Sequence, residues 1–353
     1  MAKCNLVLLF GGRSSEHEIS CRSAASIIRN LSPERYEILP VGITRQGRWL
    51  LFGGSPACIE DGSWERDPKN RTAILSPDPQ LRGLLVQTGE GFARLPADVV
   101  FPVLHGKNGE DGTMQGLLQL TGLPYVGCRT LASAVCMDKV VTNLLLEGFA
   151  IPQARFLWFY ARDYERRKDA LPAEIEKKLG GYPIFVKPAN AGSSVGVSKV
   201  RSAGELAAAV ALAAQEDEKI LLEEGIDGRE VECAVLGNAE PQASCVGEVI
   251  SEADFYDYED KYKNGTSRTE RPAALPAETS EKIRELALRA YRLLGCQGLS
   301  RVDFFVRNGD GAVLLNEINT LPGFTSISMY PKLWQESGLS YPALLDRLIE
   351  LAQ

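Results

Sequence analysis

No run in this chain approaches the ~20 consecutive apolar residues that a membrane span needs, so no membrane association is expected. The first apolar run, 6–10, is shorter than a signal-peptide core and stops at Gly11-Gly12, which makes it a first β-strand. Positive charge is also scarce: 39 Lys and Arg stand against 46 Asp and Glu, a net charge of −7. Nucleic acid is therefore not an expected partner, and any bound phosphate must be held by a few placed cations. The eight cysteines are scattered and form no CxxC pair, which reads as reduced thiols in a cytoplasmic enzyme. Two nucleotide signatures are missing as well. There is no GxxxxGK[ST], and no GxGxxG follows a strand.

What is present is a globular composition, 44% hydrophobic and 24% charged, in 353 residues. At ~100–200 residues per domain that length predicts two or three domains with a cleft between them. Strand and helix signals alternate through residues 1–128, which predicts an α/β domain with a mostly parallel sheet. Residues 53–96, with scattered Pro and Gly, read as a poorly patterned insertion. A helix is expected from 131 to about 147, and a second domain over 129–220. The third, over 221–353, carries a long polar-aromatic segment, 248–272, as a candidate lid. Strand ends in α/β sheets are the expected ligand edge. Two glycine-rich loops lie there: Gly11-Gly-Arg-Ser-Ser-Glu16-His-Glu-Ile-Ser20 and His105-Gly-Lys-Asn-Gly-Glu-Asp-Gly112.

Three constellations carry chemistry. Arg301-Val-Asp303 and Asn316-Glu317-Ile-Asn319 read as paired strands around the turn Asn308-Gly-Asp-Gly311. Residues two apart on a strand share a face, so Glu317 stands with Asn319, and Arg301 with Asp303. Two acidic groups and an amide oxygen make a hard-oxygen site for Mg²⁺ with room left for phosphate. The bland alternative, a solvated polar face, is weakened by the acid on the partner strand. Second, Val186-Lys187-Pro188 precedes the turn Gly192-Ser193-Ser194-Val-Gly196, where backbone N–H groups and Ser hydroxyls can converge on a phosphate beside the Lys187 charge. An ordinary turn is the competing reading. Third, Glu223-Glu224-Gly-Ile226 with Glu230 offers backbone groups to an adenine edge and a carboxylate to ribose, though acidic pairs are usually solvated surface. His17 and His105 are individually more often structural, and His105 is kept because of its strand-end loop.

Together these motifs resemble the ATP-grasp superfamily and, within it, the D-alanine:D-alanine ligases, over nearly the whole chain and in the family's order. Cys136-Met-Asp-Lys139, Phe255-Tyr-Asp-Tyr-Glu-Asp-Lys261-Tyr262 and Thr320-Leu-Pro-Gly323-Phe324 extend the match. The resemblance implies an N-terminal substrate-binding domain and ATP gripped between the second and third domains. It assigns Lys139, Lys187 and the lid's Lys261 to the ATP phosphates, with Ser193, Ser194 and Asn316 also on the nucleotide side. Glu223, Glu224, Ile226 and Glu230 would meet adenine and ribose. Asp303, Glu317 and Asn319 would hold two Mg²⁺, with Mn²⁺ as an alternative. Glu16 would bind the first substrate's ammonium, linked through Ser193 to Tyr262, and His105 would stand beside the substrate. Arg301 and the Gly323 N–H would stabilise the tetrahedral oxyanion. Ser328 would take the second carboxylate, with Met329 beside its side chain.

The implied reaction joins two D-alanines through D-alanyl-phosphate, consuming ATP and releasing ADP and phosphate, for peptidoglycan precursors. Homodimers are the family habit, and the commonest symmetry. Relatives that make a D-lactate ester change the lid around Tyr262, whereas this chain keeps Lys261-Tyr262. Relatives that accept D-serine tend to carry Arg where Met329 stands here. Ile327 occupies a position that is His in part of the family, so no side-chain donor is expected there. A chain that binds nucleotide without turnover would lack a metal ligand or a phosphate lysine, and none is missing.

Overall fold

The computed structural model describes residues 3–250 and 268–353. Lys261 and Tyr262 lie outside the described residues, as does most of the expected lid.

The first sheet begins with β1 (Cys4–Gly11), whose residues Leu6–Phe10 are wholly buried because both faces are covered. Leu6, Leu8 and Phe10 pack towards α1 (His17–Asn30) and the C-terminal helix, while Val7 and Leu9 join a second cluster with Met114 and Leu118. β1 is flanked in parallel by β2 (Tyr36–Ile43) and β7 (Val99–Pro102). The expected insertion is part of this sheet. β3 (Trp49–Leu51), α2 (Pro56–Glu60), β4 (Arg71–Leu75), β5 (Gly83–Thr88) and β6 (Gly91–Pro96) follow in turn. Their strands extend the sheet antiparallel, in the order β6-β5-β4-β3-β2-β1-β7. The sheet is thus mixed, and β6 is almost entirely exposed, which is why its sequence carries no apolar alternation. After β7 the loop 103–112 leads into α3 (Thr113–Thr121).

The single helix expected from 131 is two. α4 (Thr130–Met137) ends at Asp138, which leaves helical geometry at φ −82°, ψ 97° and caps α5 (Lys139–Gly148) by accepting from the Val141 N–H at 3.0 Å. The break puts Lys139 at the first turn of α5. Next come β8 (Phe156–Tyr160), α6 (Tyr164–Arg167), α7 (Leu171–Leu179), β9 (Ile184–Pro188), β10 (Ser198–Val200), α8 (Leu206–Ala213) and β11 (Lys219–Glu224). They form an antiparallel sheet in the order β10-β9-β11-β8, one face of which packs on α7 and α8. The expected boundary at 220 falls inside β11, whose ladder continues through Glu224.

The last sheet, ordered β14-β13-β12-β15-β16, is antiparallel throughout. It comprises β12 (Gly228–Leu236), β13 (Gln242–Ile250), β14 (Arg268–Glu270), β15 (Leu299–Arg307) and β16 (Val313–Asn319). Val231, Cys233, Val235, Val302 and Phe304 point to one face, under the amphipathic α9 (Ala277–Leu293). α10 (Met329–Glu336) lies against β12 and β13 on the other. α11 (Tyr341–Ala352) returns to the first sheet, where Leu344, Leu345 and Leu348 share a core with Leu6 and Leu8. Tyr36 donates to Asp346 at 2.8 Å across this seam.

Candidate active site

A cavity of about 990 Å³ opens where the three sheets approach one another, lined from loops and strands far apart in sequence. At its N-terminal end Glu16 stands at the start of α1 with its carboxylate buried, and the Ser193 hydroxyl donates to Glu16 Oε1 at 2.5 Å. Two glycines make room for that carboxylate. A Cβ on Gly106 would lie 2.5 Å from Glu16 Oε2, and one on Gly192 would lie 2.6 Å away. Ser193 and Ser194 hold left-handed backbone, φ 49° and 60°, a conformation non-glycine residues enter at a cost and one concentrated at ligand-gripping loops. Ser14 locks the neighbouring turns by donating to the His105 carbonyl at 2.7 Å.

His105 is buried with both ring nitrogens engaged. Nδ1 lies 3.0 Å from the Leu321 carbonyl, so Nδ1–H donates there, and Nε2 is 3.4 Å from the Ser23 hydroxyl. Ser23 in turn accepts from the Phe324 N–H at 3.1 Å. His105 and Ser23 therefore pin the segment that presents Gly323. Burial holds the imidazole below its ordinary pKa, against the opposing pull of Glu16 and the Leu321 bond. Glu110, not singled out from the sequence, is buried beside it and accepts from the Gly106 N–H at 2.7 Å. Burial first, and then the Glu16 charge, push its carboxyl up to about 8.

The two lysines of the phosphate expectation meet the cavity from different elements. Lys139 donates to the Ala191 carbonyl at 2.8 Å and stands 3.8 Å from Glu317. Lys187, on β9, pairs with Glu223 at 2.5 Å, and Asn143 donates to the other Glu223 oxygen at 2.9 Å. Burial works against the Lys187 charge, but Glu223 more than offsets it and holds the ammonium above its usual range. Glu224 is held by Arg155, accepting from its backbone N–H at 2.8 Å and its Nε at 2.6 Å. Both carboxylates of the acidic pair thus have internal partners, and both line the cavity with Ile226 and Glu230.

On the last sheet the register sets Arg301 opposite Asn319 and Asp303 opposite Glu317, so all four share one face, of which Arg301, Glu317 and Asn319 line the cavity. Arg301 grips Asp303 with two bonds, Nε to Oδ1 at 2.7 Å and Nη2 to Oδ2 at 2.6 Å. Burial disfavours the guanidinium charge, and Asp303 with Glu232 restores it. Glu232, 3.3 Å from Arg301, is a second residue that sequence reasoning missed. Asn319 Oδ1 accepts from the Leu321 N–H at 2.9 Å. Among the described residues no cluster of three or more His, Cys, Asp or Glu stands ready for a metal ion. The candidate ligand set is two carboxylates and an amide, with Asn316 also at the cavity wall.

Gly323, Ile327, Ser328 and Met329 also line the cavity. Ser328 Oγ accepts from the Thr325 N–H at 3.0 Å and lies 2.8 Å from the Thr325 hydroxyl. Met329 is buried against β13, where a Cβ on Gly247 would meet its Cε at 2.5 Å, so glycine there leaves room for the Met329 tip.

Two antiparallel sheets facing each other across one cavity, beside an α/β unit, define an ATP-grasp protein. Residues 5–128 match the model of the D-ala D-ala ligase N-terminus, and 145–350 that of its C-terminus. The chain belongs to the D-alanine–D-alanine ligase family. It is 50% identical to the D-alanine–D-alanine ligase of Acetivibrio thermocellus, covering 99% of this chain and 96% of that one. It is also 50% identical to that of a Thermoanaerobacter species, covering 100% and 97%. Among solved structures it is similar to the VanG D-Ala:D-Ser ligase from Enterococcus faecalis, with TM-score 0.89 and 40% identity over the full length of both chains. It is also similar to the D-alanine–D-alanine ligase from Coxiella burnetii, with TM-score 0.84 and 37% identity over 100% of this chain and 94% of that one.

Proposed function

We propose that this chain joins two D-alanines to D-alanyl-D-alanine at the expense of ATP, supplying a peptidoglycan precursor. One observation carries the reading. A single cavity is lined by a caged carboxylate, two lysines, a carboxylate–amide face and the apolar Met329. Those groups match an ammonium, phosphates with their metal ions, and a methyl side chain.

Glu16 accepts the ammonium of the first D-alanine, fixed by Ser193 and by the two glycines around it. A carboxylate is a poor acyl donor, so one of its oxygens attacks the γ-phosphorus of ATP, ADP departs and D-alanyl-phosphate forms. Lys139 and Lys187, with Lys261, spread the charge of that transfer, aided by Ser193, Ser194 and Asn316. Glu223, Glu224, Ile226 and Glu230 border the adenine and ribose, Glu223 by aligning Lys187. Asp303, Glu317 and Asn319 fit Mg²⁺ by their oxygen chemistry and shared face, and two such ions, or Mn²⁺, would neutralise phosphate charge there. The amine of the second D-alanine then attacks the acyl carbon, phosphate leaves with its oxygen, and the amine's proton is lost. Arg301 and the Gly323 N–H face the developing oxyanion, and each such donor is worth roughly 3 kcal/mol. His105 serves by holding the Gly323 segment. Ser328 takes the second carboxylate, and Tyr262 completes the link from Glu16 and Ser193 to the lid, which keeps water from the acyl-phosphate.

Three structural units (1–128, 129–220 and 221–353, with β11 bridging the last two), a cytoplasmic location and a homodimer complete the proposal, with neither nucleic acid nor membrane as partner. Among the described residues no helix is long and apolar enough to cross a membrane. A D-serine-joining activity is the second reading, favoured by the likeness to the Enterococcus faecalis enzyme. Buried Met329 argues against it, since an apolar wall leaves a serine hydroxyl unpaired. Phosphate release from ATP with D-Ala, D-Ser, D-lactate and L-Ala, each scored for product, separates the readings. D-Ala alone should support fast turnover and D-Ala-D-Ala formation. Turnover that requires D-Ser beside D-Ala would establish the second reading.

A further inference from the structure

We infer that Glu232 is a positioning residue that holds the Arg301 guanidinium in place for peptide-bond formation, an inference that rests on the ligase reading above. β12 alternates across its sheet. Val231, Cys233 and Val235 pack under α9, so Glu230 and Glu232 face the cavity. The ladder places Glu232 opposite Asp303 on β15 and opposite Gly247 on β13, and Asp303 opposite Glu317 on β16. One row therefore runs Gly247, Glu232, Asp303, Glu317 across four strands. Arg301 reaches into this row from two residues up β15. Its Nε is 2.7 Å from Asp303 Oδ1 and 3.3 Å from Glu232 Oε2.

Each partner is shielded, with 18% of the Arg301 side chain exposed and 10% of Glu232. A carboxylate this deeply placed is costly unless a cation faces it, and removing one partner strands the other. Asp303 accepts both N–H groups on one edge of the guanidinium, and Glu232 Oε2 faces Nε at 3.3 Å as a second ion-pair partner. Asp303 sets the plane of the group, and the Glu232 charge adds a second pull on it from the β12 side. Next to Glu232 the row has only Gly247, the residue over which Met329 packs. Glu232 thus stands between the Asp303–Glu317 pair and the wall proposed to receive the second amino acid. The lysines proposed for the nucleotide phosphates, Lys139 and Lys187, sit on α5 and β9, and Glu230, proposed for adenine and ribose, lies two residues along β12. Loss of Glu232 should disturb the second half-reaction and spare nucleotide binding.

The test uses the full-length protein with Glu232→Gln, which keeps shape and an acceptor oxygen but removes the charge. Phosphate and D-Ala-D-Ala are measured in the same samples. The dipeptide kcat should fall about ten- to a hundred-fold, the scale of a reacting group displaced by a fraction of an ångström. ADP affinity should stay within about twofold of wild type, since no proposed nucleotide contact is touched. Phosphate should exceed dipeptide as acyl-phosphate is lost to water. Glu232→Asp, which restores the charge, should recover much of the coupling. An Arg301→Lys background supplies a readout that a general structural role would not move. Glu232→Gln should cost far less there, both in kcat and in the denaturation midpoint of the nucleotide-free protein. One phosphate per dipeptide at the wild-type rate, or equal costs in both backgrounds, would overturn the inference. A wild type that makes no dipeptide would instead sink the ligase reading itself.

Discussion

At the scale of single residues, Glu110 and Met329 carry the most testable physics. Glu110 titrates near 8 in the folded chain against 4.5 ordinarily, because burial and Glu16 penalise its charge. A group with a raised folded pKa contributes stability that is full below its unfolded pKa and is lost as pH rises through the folded one. The window is therefore about pH 4.5 to 8, with a loss of up to about 1.4 kcal/mol per pH unit. Glu110→Gln should remove this slope, so denaturation midpoints of wild type should fall more steeply between pH 5.5 and 8 than those of the variant. Parallel profiles would show that Glu110 does not titrate there. Met329 tests the second substrate. A merely hydrophobic wall rejects an added hydroxyl weakly, by about a hundredfold at most. Met329→Arg supplies a donor and should shift the kcat/KM ratio of D-Ser to D-Ala upward by about ten-fold or more, on the ~1–3 kcal/mol scale of a newly paired hydroxyl. Competition for the second site, scored by dipeptide identity, reads this directly. An unchanged ratio would remove Met329 from specificity.

At the scale of elements, the break at Asp138 shows how local chemistry places a functional group. Asp138 caps α5, accepts from Asn190 at 3.3 Å and pairs with Lys219, so the first turn bearing Lys139 is tied to the neighbouring strands. Asp138→Ala should destabilise the chain by about 1–2 kcal/mol through the lost cap. Asp138→Asn, which keeps the cap, should lose less in the same urea titration, and an alanine variant within about 0.5 kcal/mol of wild type would contradict the role. This break was legible in Met137-Asp138-Lys139, since Asp before an apolar stretch is a helix-start signal, but the uninterrupted apolar pattern on either side hid it. The hairpin of β15 and β16 was legible outright, because period-two faces and an Asn-Gly-Asp-Gly turn fix its pairing. β4, β5 and β6 were not. β6 is an exposed edge strand without apolar alternation, and β4 and β5 beside it are short strands set among scattered Pro and Gly. Glu232 was hidden for another reason. Its significance comes from Asp303 and Gly247, brought alongside by register, and a strand's own sequence does not name its neighbours.

At the scale of the whole molecule, the site exists only where three sheets converge. Glu16 and Ser193 are 177 residues apart in sequence yet share a hydrogen bond, and His105 bonds the carbonyl of Leu321 across 216. Spacing along the chain reveals the parts of such a site but not their contacts, so the cage around Glu16 and the clamp on the Gly323 segment emerge only from the fold. The α11 helix closes the arrangement by anchoring the last sheet's chain to the first. This architecture suits a two-step reaction in which an activated acyl group must stay in place while a second substrate arrives. The most direct measurement of that account follows an oxygen atom. D-alanine labelled with ¹⁸O in its carboxylate is turned over with ATP, and the released phosphate is analysed by mass. A D-alanyl-phosphate route carries one labelled oxygen into each phosphate alongside ADP. Unlabelled phosphate, or label appearing in AMP, would contradict it.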